Sequence, residues 1–474
     1  MPPSDTSGRD DASDGDEADQ GWDRRPWWDD RELQRARLRS QVDLITTALP
    51  DVGVYPPVEE GGDVEYLYRK GVILVRDEYL DLVRRVVGGP PGPADQTADA
   101  FVVDPMIAGL TVVAVRDTVS ALNQVDSQLG VGVATPDHVF YICPATCCPA
   151  DEPDNPGQDF PYPPVNADMD CDGEGVFAVV VDTGFIPTLV NAKHRWLTGV
   201  TGDAEAYDPA HISRYTGHGT FVAGVLRCMA PRTTVEVRGF LTHGGAVYES
   251  DIVKELYFAL GRAPDIVSLS AGTTTRHNLP SLGFEVLWQS RLSHLKGTVL
   301  VAAAGNDDTR QPFWPAAFPW AVSVGALDMS GRRAGYSNYG SWVDVYAPGS
   351  DIINAFPNGD YFYEEPPRTG QRAVFDREMA LWSGTSFATP LVSGLIAGRV
   401  SRTGESGRQA ASALLRTARR KARRGVGPIL EPGDGCQARR PCNCDRACGY
   451  ERGCGCDRGC GCDRRRCRGG DRNW

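Results

Sequence analysis

Five strongly apolar runs, VFAVVVD, TVEVRGF, DIVSLSAG, TVLVAAAGN and WAVSVGALD, succeed one another between residues 176 and 328. Helical segments lie between them, at GTFVAGVLRCM, SDIVKELYFALGR and FEVLWQSRLSHLKG, and a further one follows at GTSFATPLVSGLIAGRV. Apolar strands joined through helices are how a parallel sheet covered on both faces appears in sequence. An α/β layered domain over residues 172–425 is the consequence. The longest apolar stretches, 176–181 and 298–304, fall far short of the roughly 18 residues that a membrane helix needs, so no membrane span is expected.

In an open α/β sheet, functional groups gather at the carboxyl ends of the strands. The first run ends in Asp182-Thr183-Gly184, the third in Ser270-Ala271-Gly272 and the fourth in Gly305-Asn306-Asp307. Two further segments open helices with small residues around a reactive side chain, Gly217-His218-Gly219-Thr220 and Gly384-Thr385-Ser386-Phe387-Ala388-Thr389-Pro390. Nucleophilic catalysis by serine needs a base for the hydroxyl proton, a carboxylate to orient the imidazole, and donors aimed at the developing oxyanion. Asp182, His218, Ser386 and Asn306 are residues of the right types. Taken singly, each has a plainer role: a turn or cap for Asp182, a cap for His218 and Ser386, a tight sheet turn for AAAGN.

Together and in this order, VVVDTG, GHGTFVAG, AAAGN and GTSFATP resemble the signature blocks of the subtilisin-like serine proteases, whose triad runs Asp, His, Ser along the chain. The resemblance covers about 172–400. It implies an α/β subtilisin-like three-layer domain with a mostly parallel sheet. It further implies Asp182 as the orienting carboxylate, His218 as general base and acid, and Ser386 as nucleophile, with the Asn306 side chain and the Ser386 backbone N–H forming the oxyanion hole. Ser270, Ala271 and Gly272 match the segment that pairs with an extended substrate backbone and helps wall the primary specificity pocket, as do Ala303, Ala304 and Gly305. Phe387 stands where the family most often has methionine, and Ser-Ala-Gly replaces the commoner Ser-Leu-Gly; both departures bear on pocket shape. An insertion between Gly349 and Ser383, carrying Tyr361, Phe362, Tyr363 and Glu364-Glu365, is expected to reshape the site rim. No cofactor is required for such catalysis; structural calcium is common in the family, but no ligand loop is clear enough to assign. His194, His211, His243, His277 and His294 are expected to be surface or structural.

Upstream, residues 64–143 alternate as β-α-β-β-α-β, the order of a small ferredoxin-like α+β domain. By the same resemblance this block is a propeptide-like intramolecular partner that assists folding and then occupies the active site, with self-cleavage expected between Tyr141 and Cys171. An unrelated accessory domain is the alternative. Residues 1–63 read as an acidic, disordered start followed by a helix from Asp29 to Leu49, with Trp22, Trp27 and Trp28 just before it. Residues 144–171 read as a Pro/Asp-rich linker.

The chain carries −13 overall, yet from Arg399 onward Lys and Arg outnumber Asp and Glu by 19 to 8, and nine of the 14 cysteines lie between Cys436 and Cys467. For this Cys/Arg-rich tail, 426–474, a bound soft metal, a disulfide knot and plain disorder all remain open. The basic helix before it has no interleaved aromatics, so nucleic acid is not an expected partner. The start of the chain has no basic region followed by an apolar run, which points to the cytoplasm, with export by a non-standard route as the alternative. The function expected is that of a serine endopeptidase acting on protein or peptide substrates and made as a self-processing zymogen. The alternatives are a masked protease-fold binding or scaffold protein, and a maturation protease dedicated to one partner peptide.

Overall fold

A computed structural model describes residues 31–49, 51–57, 64–88, 103–142, 152–157, 161, 163–167, 171–242 and 244–435. The acidic start, the three tryptophans, His243 and the tail from Cys436 lie outside the described residues. The N-terminal part comprises α1 (Arg31–Ala48), β1 (Val52–Tyr55), β2 (Tyr66–Arg76), α2 (Leu80–Val87), β3 (Val103–Ile107), β4 (Leu110–Ala114), α3 (Thr118–Leu129) and β5 (Ala134–Tyr141). Its strands are ordered β3-β4-β2-β5, all antiparallel, with β1 added on β2. Strand β1 precedes residue 64, where the sequence pattern starts the domain. Four residues are too few for a periodic signal, and the strand exists because β2 is long enough to pair with it. Asp117 caps α3 by accepting the Ser120 N–H at 2.7 Å, which holds its carboxyl below the usual carboxylate range.

The second part is built from β6 (Phe177–Asp182), β7 (Val200–Gly202), α4 (His218–Met229), β8 (Thr234–Gly239), β9 (Ala246–Tyr248), α5 (Glu249–Ala259), β10 (Ile266–Leu269), α6 (Leu282–Ser290), β11 (Val299–Ala303), β12 (Ala321–Leu327) and β13 (Val345–Pro348), then two nested two-stranded sheets and two helices. Seven parallel strands form one sheet in the order β13-β12-β11-β10-β6-β8-β7. The five predicted apolar runs supply five of them, and β10 and β11 are buried along their whole length. Each fully buried Val or Leu contributes about 1.5–3 kcal/mol relative to exposure, which is why this sheet sits at the centre. One face packs on α4, α7 (Thr385–Thr403) and α8 (Gly407–Arg420), the other on α5 and α6. The chain leaves β6 toward β8 on one side and returns through β10 toward β13 on the other, so the β6/β10 boundary is a topological switch point.

The insertion after β13 folds as β14 (Ile352–Ala355) paired with β17 (Met379–Trp382), and β15 (Gly359–Phe362) paired with β16 (Arg372–Phe375). Its Tyr361 is fully buried rather than displayed on a rim. Part of the expected linker packs here as well: Glu152 accepts from the Tyr361 hydroxyl and the Glu364 N–H, each at 2.8 Å, and Asp154 pairs with Leu381. A Pro/Asp-rich composition carries no sign of this, because the partners lie about two hundred residues away. Helix α1 closes over the same insertion, with Arg37 Nε donating to Pro366 O at 2.7 Å, and over the segment before α4, where the Tyr215 hydroxyl donates to Gln41 at 3.0 Å. Glu365 forms a buried ion pair with Arg214. Cys171 is disulfide-bonded and Cys228 is free and buried. Among the described residues no helix is long and apolar enough to cross a membrane.

Candidate active site

Asp182 ends β6, and Ser270 and Asn306 follow the ends of the adjacent β10 and β11, so three candidate residues emerge side by side at the switch point. His218 opens α4 and Ser386 lies in the first turn of α7, two helices that pack against each other over this edge. The glycines around His218 are there for space. Gly217 has φ +80°, and a Cβ on Gly219 would stand 2.1 Å from Gly184 O. His218 can therefore approach the Asp182 turn closely enough for its Nδ1 to lie 2.7 Å from Asp182 Oδ1, which also accepts the Thr183 N–H at 2.9 Å. Both side chains are buried.

Ser386 owes part of its setting to Pro390. A proline four residues on has no N–H to give the Ser386 carbonyl. That carbonyl accepts instead from the Ser270 hydroxyl at 3.0 Å, tying α7 to the end of β10. Ser386 Oγ itself donates to Ser270 O at 3.4 Å rather than to His218. Asn306 Oδ1 accepts from Thr385 N–H (3.0 Å) and Thr385 Oγ1 (2.8 Å). Because a backbone N–H can only donate, this fixes which end of the amide is oxygen and leaves the NH₂ end as a donor. Trp382 stands edge-on to His218 at 5.2 Å, so the insertion reaches the site through β17. Phe387 lies 5.4 Å from the His218 ring and packs on Phe221 and Trp382, so it backs the histidine.

Glu205 has no marker in the sequence. Its Oε2 accepts the Gly217 N–H at 3.0 Å and the Thr183 hydroxyl at 3.2 Å, so one carboxyl ties the residue after Asp182 to the residue before His218. Burial, assisted by the Asp182 charge, pushes its pKa up to about 8.

Strand β5 lies between the edge strand β9 and Gly272. Val139, Phe140 and Tyr141 pair antiparallel with Tyr248, Val247 and Ala246, while Tyr141 and Gly272 exchange two backbone hydrogen bonds at 3.0 and 3.2 Å. Beside this strand a buried polar cluster joins the two parts of the chain. His138 Nδ1 lies 2.8 Å from Glu249 Oε2, and His138 Nε2 accepts the Arg276 N–H at 3.2 Å. Glu249 Oε1 accepts from Ser281 Oγ and Gly283 N. Asp137 accepts from the Ser250 N–H and hydroxyl, and burial raises its pKa to about 7. Of the histidines expected to be structural, His194 is buried with Nδ1 3.0 Å from Leu189 O, and His211 stacks on Phe362. Among the described residues no group of three or more His, Cys, Asp or Glu is placed to hold a metal ion.

Comparison with known proteins adds the following. The family model described as the subtilase family matches residues 173–450. A thermophilic serine proteinase of Bacillus sp. (strain AK1) is 31% identical over 260 residues, which are 51% of this chain and 57% of that protein. Thermitase of Thermoactinomyces vulgaris is 29% identical over 260 residues, 52% of this chain and 82% of that protein. The match thus spans little more than half the length of the first of these relatives. Among solved structures, fervidolysin from Fervidobacterium pennivorans, a keratinolytic enzyme related to subtilisin, aligns with a TM-score of 0.52 at 18% identity, covering 79% of this chain and 62% of that one. That likeness is one of fold.

Proposed function

Because the chain belongs to the subtilase family, we propose that it is a serine endopeptidase that cleaves protein or peptide substrates through an acyl-enzyme on Ser386. The observation that carries this reading is the convergence of the Asp182–His218 pair, Ser386 and Asn306 at one switch point. With Nδ1 held by Asp182, Nε2 is the nitrogen left to take the serine proton, once Oγ turns from Ser270 O toward the imidazole. Asp182 keeps the imidazole in that tautomer and offsets the charge that forms on it. The Asn306 NH₂ and the Ser386 N–H donate to the oxyanion, and His218 returns its proton to the leaving amine. No cofactor enters any step.

Strand β5 is read as the closing strand of an intramolecular inhibitor. It uses the backbone donors and acceptors of β9 and Gly272 that an extended substrate would use. The chain is then a self-processing zymogen whose cut falls between Tyr141 and Cys171. The same strand also favours one rival, a protease fold permanently masked for binding. Labelling Ser386 with a fluorophosphonate before and after limited proteolysis separates the two, since a permanently masked site stays unlabelled in both. Ser386→Ala is expected to lower hydrolysis of casein by at least about 10⁴-fold and to leave the purified chain at full intact mass. Retained proteolysis in that variant would sink the assignment.

A further inference from the structure

At the ends of β10 and β11, the segments 270–272 and 303–305 each finish in a glycine whose missing side chain faces the same ring, Gly305 facing Asn338 as well. A Cβ on Gly272 would stand 2.4 Å from Phe313 Cε1, and one on Gly305 would stand 3.1 Å from Phe313 Cδ1. Phe313 is buried, and its backbone is pinned there: Trp314 and Thr273 exchange two backbone hydrogen bonds at 2.8 and 2.9 Å, and Phe313 O accepts from Ala317 N at 2.9 Å. On its remaining side the ring meets Tyr141, 6.3 Å away between centroids.

Tyr141 shows which face of a bound strand the ring stands on. It pairs antiparallel with Gly272, and in an extended chain side chains two residues apart share a face. In a substrate bound in that register, the residue two positions on lies opposite Ser270, whose carbonyl is 3.4 Å from Ser386 Oγ. That residue bears the carbonyl to be attacked. Its side chain points to the face Tyr141 uses, between Gly272 and Gly305, where Phe313 already stands.

We infer that Phe313 fills the floor of the primary specificity pocket, so that the enzyme cleaves after residues with small side chains, Gly, Ala or Ser, and rejects aromatic and long aliphatic ones. This rests on the protease reading above and on segments 270–272 and 303–305 as the pocket walls.

The test uses the full chain after limited proteolysis has released β5, and tetrapeptide anilides that differ only in the residue before the scissile bond, Ala, Leu or Phe, with competent sites counted by a small fluorophosphonate. The wild type is expected to favour Ala over Phe by about hundredfold in kcat/KM. Phe313→Gly is expected to bring Phe within about threefold of Ala at an unchanged count of labelled sites. Wild type that turns over the Phe peptide as well as the Ala peptide overturns the inference, as does a Phe313→Gly variant that labels normally yet keeps the wild-type ratio. Should Phe313→Gly fail to fold, Phe313→Leu keeps most of the buried volume and is expected to improve the Phe peptide by about tenfold; no gain there also overturns it. A chain that neither labels nor hydrolyses any of the three peptides refutes the protease reading instead.

Discussion

The parallel sheet and the junction between β5 and the subtilase core are both buried, but they are buried with different chemistry. Strands β6, β10, β11 and β12 present Val, Ile, Leu and Ala to helices on both faces. The junction holds Asp137, His138, Glu249, Ser250 and Ser281, hydrogen-bonded to one another and to backbone. Apolar packing gains free energy without regard to direction or pH. Buried polar pairs contribute little net stability while intact, yet leave costly orphans when one partner is lost or changes its proton. The core is thereby suited to permanence, and the junction to separation.

Between the sheet and the junction, the largest contrast follows from removing one partner at the junction. His138→Ala strips Glu249 Oε2 and the Arg276 N–H of their contact, costing the docked state about 2–3 kcal/mol. Peptide hydrolysis by the full chain should rise by about thirtyfold or more, with the rate per labelled site unchanged. An unaltered rate would mean that the junction is as permanent as the core.

Next comes pH. Asp137 has its pKa raised by burial to about 7, so its contribution to the folded, docked state is fully present below its unfolded value, about 4, and is lost as pH rises toward 7. Wild type should lose about 4 °C in Tm between pH 5 and pH 8 that Asp137→Asn does not lose. A Tm difference that stays constant over this range would count against the titration.

The smallest effect belongs to the site itself. Glu205 is neutral at pH 7 and ionises near 8, placing a second negative charge beside Asp182 that favours the imidazolium formed in the transition state. The kcat of wild type should climb about two- to threefold through pH 8, whereas Glu205→Gln, which keeps an acceptor for Gly217 and Thr183, should stay flat. A climb of the same size in both would remove Glu205 from any electrostatic role.

Much of the architecture was legible because it rests on runs. Five apolar segments, three of them ending at Asp182, Ser270 or Gly305-Asn306, announce a parallel sheet and the edge where its chemistry gathers, and the small residues around His218 and Ser386 mark helices that start at that edge. The departure at Phe387 drew attention to pocket shape, yet its ring turns toward Phe221 and Trp382, whereas Phe313, which we place at the pocket floor, lies in a segment with no catalytic signature. Glu205 was equally silent, being one acid among many in the chain. Segment 152–154 read as linker, and His138 as one more residue of a strand.

The sequence by itself determined the parallel sheet and the order in which Asp182, His218 and Ser386 appear, because periodic burial and small residues at element ends are local requirements that leave local patterns. Only the tertiary structure decided which single side chains surround those three residues. Glu205 beneath them, Phe313 beside them and His138 across from them depend on contacts between distant segments, and a side chain that gains its partner through folding leaves no period in the chain to read.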